Sequence, residues 1–393
     1  MPTTRPDTEF VDGVCSACLS FDKRATIDWE ARKRDFADIL FRMPVNHSGY
    51  DCILASSGGK DSHWQARQLI DLGAKPLVVT AHTCLLTDIG RRNIDNLRRH
   101  ADTIVVEYDA DVRRRLNILG QELVGDISWP EHVAIFSAPF RIAAQLGIKT
   151  IFYGENPQEA YGGPLGSETA EELTKRWITE FGGHLGLRSS DMVGKRDLTE
   201  ADMSHYMLPS DERLAGIQAY FMGAFFPWDS HRNWEVAFEM GMVAPASGPC
   251  EANWWQAENL DNAMTGLHDF GGWVKYGYGR ACAQASVDVR YGILTREDAL
   301  YVVQRRDGIF PSTYMGVSVG DVLDHLGASY DWLIQSFRRF TNKALFTGEG
   351  PQERLILKEF ANGRDAADGG LQPSDAAQGG HEHGDRHQGD RAR

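Results

Sequence analysis

No apolar run in this 393-residue chain approaches the ~20 residues needed to cross a bilayer. The first residues also lack the basic stretch and apolar core of an export signal. The expectation is a cytoplasmic protein with no membrane insertion. Positive charge is scarce too: 41 Lys and Arg face 55 Asp and Glu, for a net charge of −14. A large nucleic-acid surface needs a basic stripe, so nucleic acid is not an expected partner. A small anionic ligand in a local site remains compatible with that balance. Cysteine is sparse, with six residues at positions 15, 18, 52, 84, 250 and 282. That number in a chain of this size does not read as a disulfide framework. Cys52 and Cys84 lie in or beside apolar runs and read as small buried hydrophobes.

What is present is ordinary globular material, 42% hydrophobic and 24% charged, in a chain long enough to bury a large core. Residues 1–49 hold a Cys-x-x-Cys pair and a charged helical stretch over 28–42. From Tyr50 short apolar runs (51–55, 76–81, 103–108, 150–153) alternate with helical stretches near 62–72, 88–100, 111–124 and 132–146. That alternation predicts an α/β fold, a parallel sheet covered by helices on both faces. The character changes after Pro164: residues 165–347 are rich in aromatics, among them Trp177, Trp228, Trp234, Trp254, Trp255 and Trp273. They read as an α-rich C-terminal domain able to wall a pocket. The expected organisation is an N-terminal segment (1–49), a nucleotide-binding α/β domain (50–164), the α-rich substrate domain (165–347) and a tail (348–393). A last helix is expected over 352–360 and disorder from about 362, where apolar residues nearly vanish. In that tail His381, His383 and His387 read as solvated.

The densest local pattern is Ser57-Gly58-Gly59-Lys60-Asp61-Ser62, between the first apolar run and a helical stretch. A strand feeding a Gly-rich turn that opens a helix builds an anion cradle from backbone N–H groups and the helix dipole. The spacing is not that of GxxxxGK[ST], because Leu54 stands where glycine is needed and Asp61 follows the lysine. Ser-Gly-Gly-x-Asp-Ser is instead the pattern of the PP-loop ATP pyrophosphatases, which cleave ATP between its α and β phosphates. On that reading the N–H groups of Gly58, Gly59 and Lys60 hold the leaving pyrophosphate, the Ser57 and Ser62 hydroxyls add hydrogen bonds, and Lys60 adds charge. Asp61, an acid beside a polyphosphate, is assigned to Mg²⁺; capping of the following helix is a compatible second role.

Other candidates flank the same sheet edge. Thr80-Ala81-His82 ends the second run, where adenine would lie, although His82 also reads as a surface residue. Gly154-Glu155-Asn156-Pro157-Gln158 follows the fourth run, and Tyr161-Gly162-Gly163-Pro164 gives another close-approach loop. Further on, Gly266-Leu267-His268-Asp269 and Lys275-Tyr276-Gly277-Tyr278-Gly279-Arg280 combine rings and charges as a sugar or nucleoside-diphosphate pocket does. An aromatic core segment with snorkelling charges is the alternative. Cys15 and Cys18 supply half of a tetrathiolate zinc site, with no second Cys-x-x-Cys to complete it. A glutaminase nucleophile is missing: position 2 is Pro2, and no cysteine sits on a Gly-flanked elbow.

Together these segments resemble the N-acetyl sugar amidotransferase family, PP-loop enzymes of bacterial surface-polysaccharide, O-antigen and nonulosonic-acid pathways. The stretches that carry the likeness are 10–18, 50–62, 154–158 with Tyr161-Gly162-Gly163, 266–269, 275–281 and 284–290. It runs from about residue 2 to 340, and the Leu-His-Asp and Lys-Tyr-Gly-Tyr-Gly-Arg segments make it specific. The resemblance implies conversion of a sugar acetamido group to an acetamidino group through an O-adenylyl imidate, with release of AMP and pyrophosphate. It implies ATP and Mg²⁺, and ammonia from a separate glutaminase with a cyclase-like partner; a homodimer is compatible with it. Tyr161, Gly162, Gly163, His268, Asp269, Lys275, Tyr276 and Arg280 are then the substrate candidates. Members usually carry an earlier Cys-x-x-Cys before the segment matching Met1-Pro2, which leaves the start of the chain and a zinc site open. Many also have cysteines in the stretch matching residues 128–132 and an acid at Ala283. The alternatives are a PP-loop tRNA-modifying enzyme of the thiolation type and a non-enzymatic ATP-binding regulator.

Overall fold

The computed structural model describes residues 1–42, 47–167, 170–347 and the pair 356–357. Its centre is a five-stranded parallel sheet made of β1 (Cys52–Ser56), β2 (Pro76–Ala81), β3 (Thr103–Val106), β4 (Thr150–Tyr153) and β5 (Gln218–Phe221). The strand order is β3-β2-β1-β4-β5. The register sets Ser56 opposite Thr80 and Ile53 opposite Ile151. The α/β expectation therefore holds. The four apolar runs become strands because both sheet faces are covered and every side chain needs an apolar partner. Cys52 and Leu54 pack with Phe36, Trp64, Leu69 and Phe225 on one face. Ile53 and Ala55 pack with Val79, Ile151, Trp177 and Phe221 on the other.

The fifth strand comes from Gln218–Phe221, inside the stretch assigned by sequence to the α-rich domain. Four residues within an aromatic, helix-like region give no strand period of their own; pairing with β4 supplies what local sequence does not. The helix expected over 28–42 runs Trp29–Arg42, and that expected over 132–146 starts earlier, at Trp129. Residues 356–357 pair antiparallel with Phe346–Thr347, so at these two positions a short strand replaces the expected helix. The rest of that expected helix, and the tail beyond 362, lie outside the described residues.

Helices Thr265–Tyr276, Val319–Leu326 and Tyr330–Phe340 share a core of Leu267, Phe270, Trp273, Leu323 and Phe337. Ile118 and Ile127 from the sheet side join that core, which seats the α-rich region against the helices that cover the sheet. No described helix is long and apolar enough to cross a membrane.

Candidate functional site

The chain passes from β1 outward to β2 and β3, then returns to the other side of β1 for β4 and β5. The strand order reverses between β1 and β4, and open α/β sheets bind ligands at the carboxyl ends of strands flanking such a reversal. Both connections that leave this point are candidates from the sequence: Ser57–Ser62 after β1 and Gly154–Asn156 after β4.

Gly58 has φ +84, and a Cβ there would stand 2.8 Å from Ile94 Cγ1. Only glycine meets both conditions without strain. Gly59 caps the helix Lys60–Asp71. Three serines brace the turn. Ser57 N–H donates to Ser62 Oγ at 3.2 Å, Gly58 N–H to Ser56 Oγ at 3.0 Å and Gly59 N–H to Ser57 Oγ at 3.4 Å. Hydroxyls thus stand at the N–H groups that an anion would claim. Behind the turn His63 is fully buried. Its Nδ1 lies 2.9 Å from Gly59 O, and Nε2 lies 3.1 Å from Asn96 Nδ2, which also donates to Met240 O. Since Asn96 is the donor, His63 Nε2 accepts and Nδ1–H donates to the loop carbonyl.

Lys60 is 5% exposed, with Nζ 2.9 Å from Asp61 Oδ2 and 2.7 Å from Glu258 Oε2. Burial disfavours its charge, but the Asp61 and Glu258 carboxylates outweigh that and hold Lys60 well above its ordinary range. Asn233 Nδ2 donates to Asp61 Oδ1 at 2.9 Å. Asp261 lines the same pocket, its carboxyl pushed up to about 6 by burial. Glu155, after β4, is pushed up to about 7 by burial and by the Asp61 carboxylate. Acids thus outnumber the one lysine around the turn. A polyphosphate would meet repulsion there without a divalent cation, so the donor set is chemically compatible with Mg²⁺, which Asp61 and Glu258 could hold. Thr80 Oγ1, near the end of β2, is buried without a hydrogen-bond partner, while His82 Nδ1 lies 2.7 Å from Thr83 O. Ala81 is half-buried at the strand end.

Asn156 caps the helix Pro157–Tyr161 and donates to Ser167 O at 2.9 Å, so it shapes the loop after β4. Gly162 has φ +87, and a Cβ on Gly163 would clash with Gln158 Oε1. Arg5 Nε donates to Gly162 O at 3.1 Å, drawing the N-terminal segment onto this loop. Arg280 holds Asp269 through Nη2–Oδ1 at 2.7 Å and Nε–Oδ2 at 3.2 Å. Tyr161 lies within electrostatic range of Glu258, Glu155, Lys60 and Arg280; burial and the two carboxylates push its hydroxyl up. Lys60 of the 57–62 loop therefore contacts Glu258, and Tyr161 of the 154–163 loop lies within electrostatic range of Glu258 and Arg280. Other candidates lie elsewhere: Lys275 donates to Val124 O at 3.2 Å, the Tyr276 and Tyr278 rings stack 6.2 Å apart, and His268 turns to Asp126. Cys15 and Cys18 have sulfurs 3.5 Å apart, and among the described residues no third metal-binding side chain groups with them.

Sequence reasoning missed Glu258, Asn233, Asp261 and His63. None sits in a motif. The one available signal is the Trp254-Trp255 pair just ahead of Glu258, and Lys60 Nζ does lie 5.8 Å from the Trp255 ring centre.

Residues 252–357 match the family model described as LPS biosynthesis protein WbpG-like, C-terminal domain. The match fits the N-acetyl sugar amidotransferase family. It covers Glu258, which contacts the Gly-rich turn through Lys60, and the Asp269–Arg280 pair, whereas the turn itself lies outside it. The description of that family is lipopolysaccharide biosynthesis. No curated protein matches the chain.

Proposed function

We propose that this chain is an ATP-dependent amidotransferase of surface-polysaccharide synthesis that converts a sugar acetamido group into an acetamidino group. The observation that carries the reading is the meeting of the Ser57–Ser62 turn with Glu258 of the WbpG-like region through Lys60, at 2.7 Å. A nucleotide-type turn thereby faces the part of the chain that matches a lipopolysaccharide biosynthesis family.

The acetamido oxygen is a poor leaving group, so it must first be activated. It attacks the α-phosphorus of ATP, the α–β bridging bond breaks, and pyrophosphate leaves. Ammonia then adds to the imidate carbon, a proton is lost, and AMP departs with the former amide oxygen. Lys60 exchanges its Glu258 contact for the polyphosphate, and the turn's N–H groups exchange serine hydroxyls for phosphate oxygens. Catalysis is then chiefly electrostatic and positional. Mg²⁺ bound by Asp61 and Glu258 would neutralise charge on the departing pyrophosphate. Glu155, its carboxyl pushed up to about 7 by burial and the Asp61 carboxylate, would take the proton released as ammonia adds. The Asp269–Arg280 pair orients the sugar. By the family resemblance, a separate glutaminase with a cyclase-like channelling partner supplies the ammonia.

The test is incubation with ATP, Mg²⁺, ammonium and a nucleotide-linked diacetamido sugar. The expected products are AMP, pyrophosphate and a sugar about one mass unit lighter. Formation of ADP would contradict the reading, and AMP formation dependent on tRNA instead of sugar would favour the thiolation-type alternative.

A further inference from the structure

Away from the Gly-rich turn, Asp126, His132 and His268 come together from three separate places. Asp126 follows the helix Ala110–Val124, His132 lies on the helix Trp129–Leu146, and His268 lies on Thr265–Tyr276 in the WbpG-like region. One donor atom from each lies within 4.8 Å of the others. Asp126 Oδ1 is 2.7 Å from His268 Nδ1, and Oδ2 is 3.3 Å from His132 Nδ1. The two imidazoles stand edge to face with centroids 5.0 Å apart. We propose that these three side chains bind a divalent first-row transition-metal ion, tying the α-rich region to the helices over the sheet.

Three features separate the cluster from an ordinary buried ion pair. His132 Nδ1 is buried and stands 3.3 Å from Asp126 Oδ2, a longer contact than the 2.7 Å that His268 makes with the same carboxylate. A buried ring nitrogen held at that distance from a carboxylate is better satisfied when a further group completes it. Second, the outer contacts are those that orient ligands. Ser128 N–H donates to Asp126 Oδ1 at 2.9 Å, and His268 Nε2 lies 3.9 Å from Asp269, which Arg280 fixes. Third, Lys275, two turns along from His268, gives its hydrogen bond to Val124 O, so the direct side-chain partners of the Asp126 carboxylate are the two imidazoles. Two imidazoles and one carboxylate suit Zn²⁺, Fe²⁺ or Mn²⁺, and leave open coordination positions. The His132 and His268 side chains are 25% and 27% exposed, which gives solvent access to those positions.

The test uses the full chain with Cys15 and Cys18 changed to Ser and His381, His383 and His387 changed to Ala, which removes the competing donors. After chelation, Co²⁺ titration should show one equivalent bound, with visible ligand-field bands that Zn²⁺ displaces. His132→Gln and His268→Gln should each weaken binding by more than about 100-fold, with unchanged far-ultraviolet circular dichroism. X-ray absorption of the Co²⁺-loaded protein gives a readout that needs no substitution, and two imidazoles with oxygen donors are expected. No uptake of Co²⁺, Zn²⁺, Mn²⁺ or Fe²⁺, uptake unchanged in both His variants, or a coordination shell without imidazole would overturn the proposal.

Discussion

Acidification should weaken this protein through one buried histidine that supports the Gly-rich turn. Burial holds His63 down to about 4, against an ordinary 6.5, with the nearby His100 adding to the shift and the Gly59 carbonyl opposing it. The unfolded chain therefore takes up the proton first as pH falls. The His63 contribution is complete above the unfolded value and is lost as pH drops from there toward the folded value. The full difference corresponds to about 3 kcal/mol, of which roughly 2 kcal/mol is lost between pH 7 and pH 5. No solvent discount applies, because the ring is fully buried between Gly59 and Asn96. Urea denaturation of the wild type and of His63→Gln at both pH values measures it. Gln keeps a donor and an acceptor but does not titrate, so its pH-independent loss separates from the pH-dependent part. The wild type should lose about 2 kcal/mol more than the variant over that interval. Equal losses in the two proteins would refute the reasoning, since a ring that protonates in place cannot differ from glutamine in this way.

Lys60→Met leaves the Asp61 and Glu258 carboxylates without their shared cation, and should lower stability by about 3–5 kcal/mol and abolish ATP turnover. Adding Glu258→Gln should restore part of that stability, read from denaturation midpoints, without restoring turnover. Gly58→Ala should cost at least about 1–2 kcal/mol and weaken ATP binding by calorimetry, because the left-handed backbone and Ile94 both exclude a Cβ. Gly59→Ala, whose nearest neighbour would be Ser57 Oγ at 3.4 Å, should be much milder. Asp269→Asn removes the carboxylate that pairs with Arg280, and should raise the sugar KM more than that for ATP.

The sequence made the Gly-rich turn legible because its information is local. A strand, two glycines, a lysine and a helix start occupy consecutive positions, and the positive φ of Gly58 is what that pattern requires. The helical stretches expected near 88–100 and 111–124 form as Asp88–Leu97 and Ala110–Val124, behind the side-chain caps Thr87 and Asp109. What escaped is non-local. Glu258 meets Lys60 across 198 residues and Asn233 meets Asp61 across 172, and neither carries a motif. The strand Gln218–Phe221 is defined by its neighbour β4, not by alternation of its own. His268 and Asp269 were read as one pocket element, but successive residues on a helix point about 100° apart. His268 accordingly faces Asp126 while Asp269 faces Arg280.

The central claim is that the acetamido oxygen attacks ATP. The most direct measurement uses a sugar substrate carrying ¹⁸O in the acetamido carbonyl, with ATP, Mg²⁺ and ammonium, followed by mass spectrometry of both products. The account predicts one ¹⁸O in the AMP phosphate and none in the amidino product. Unlabelled AMP, with ¹⁸O retained in the sugar or released to water, would contradict it.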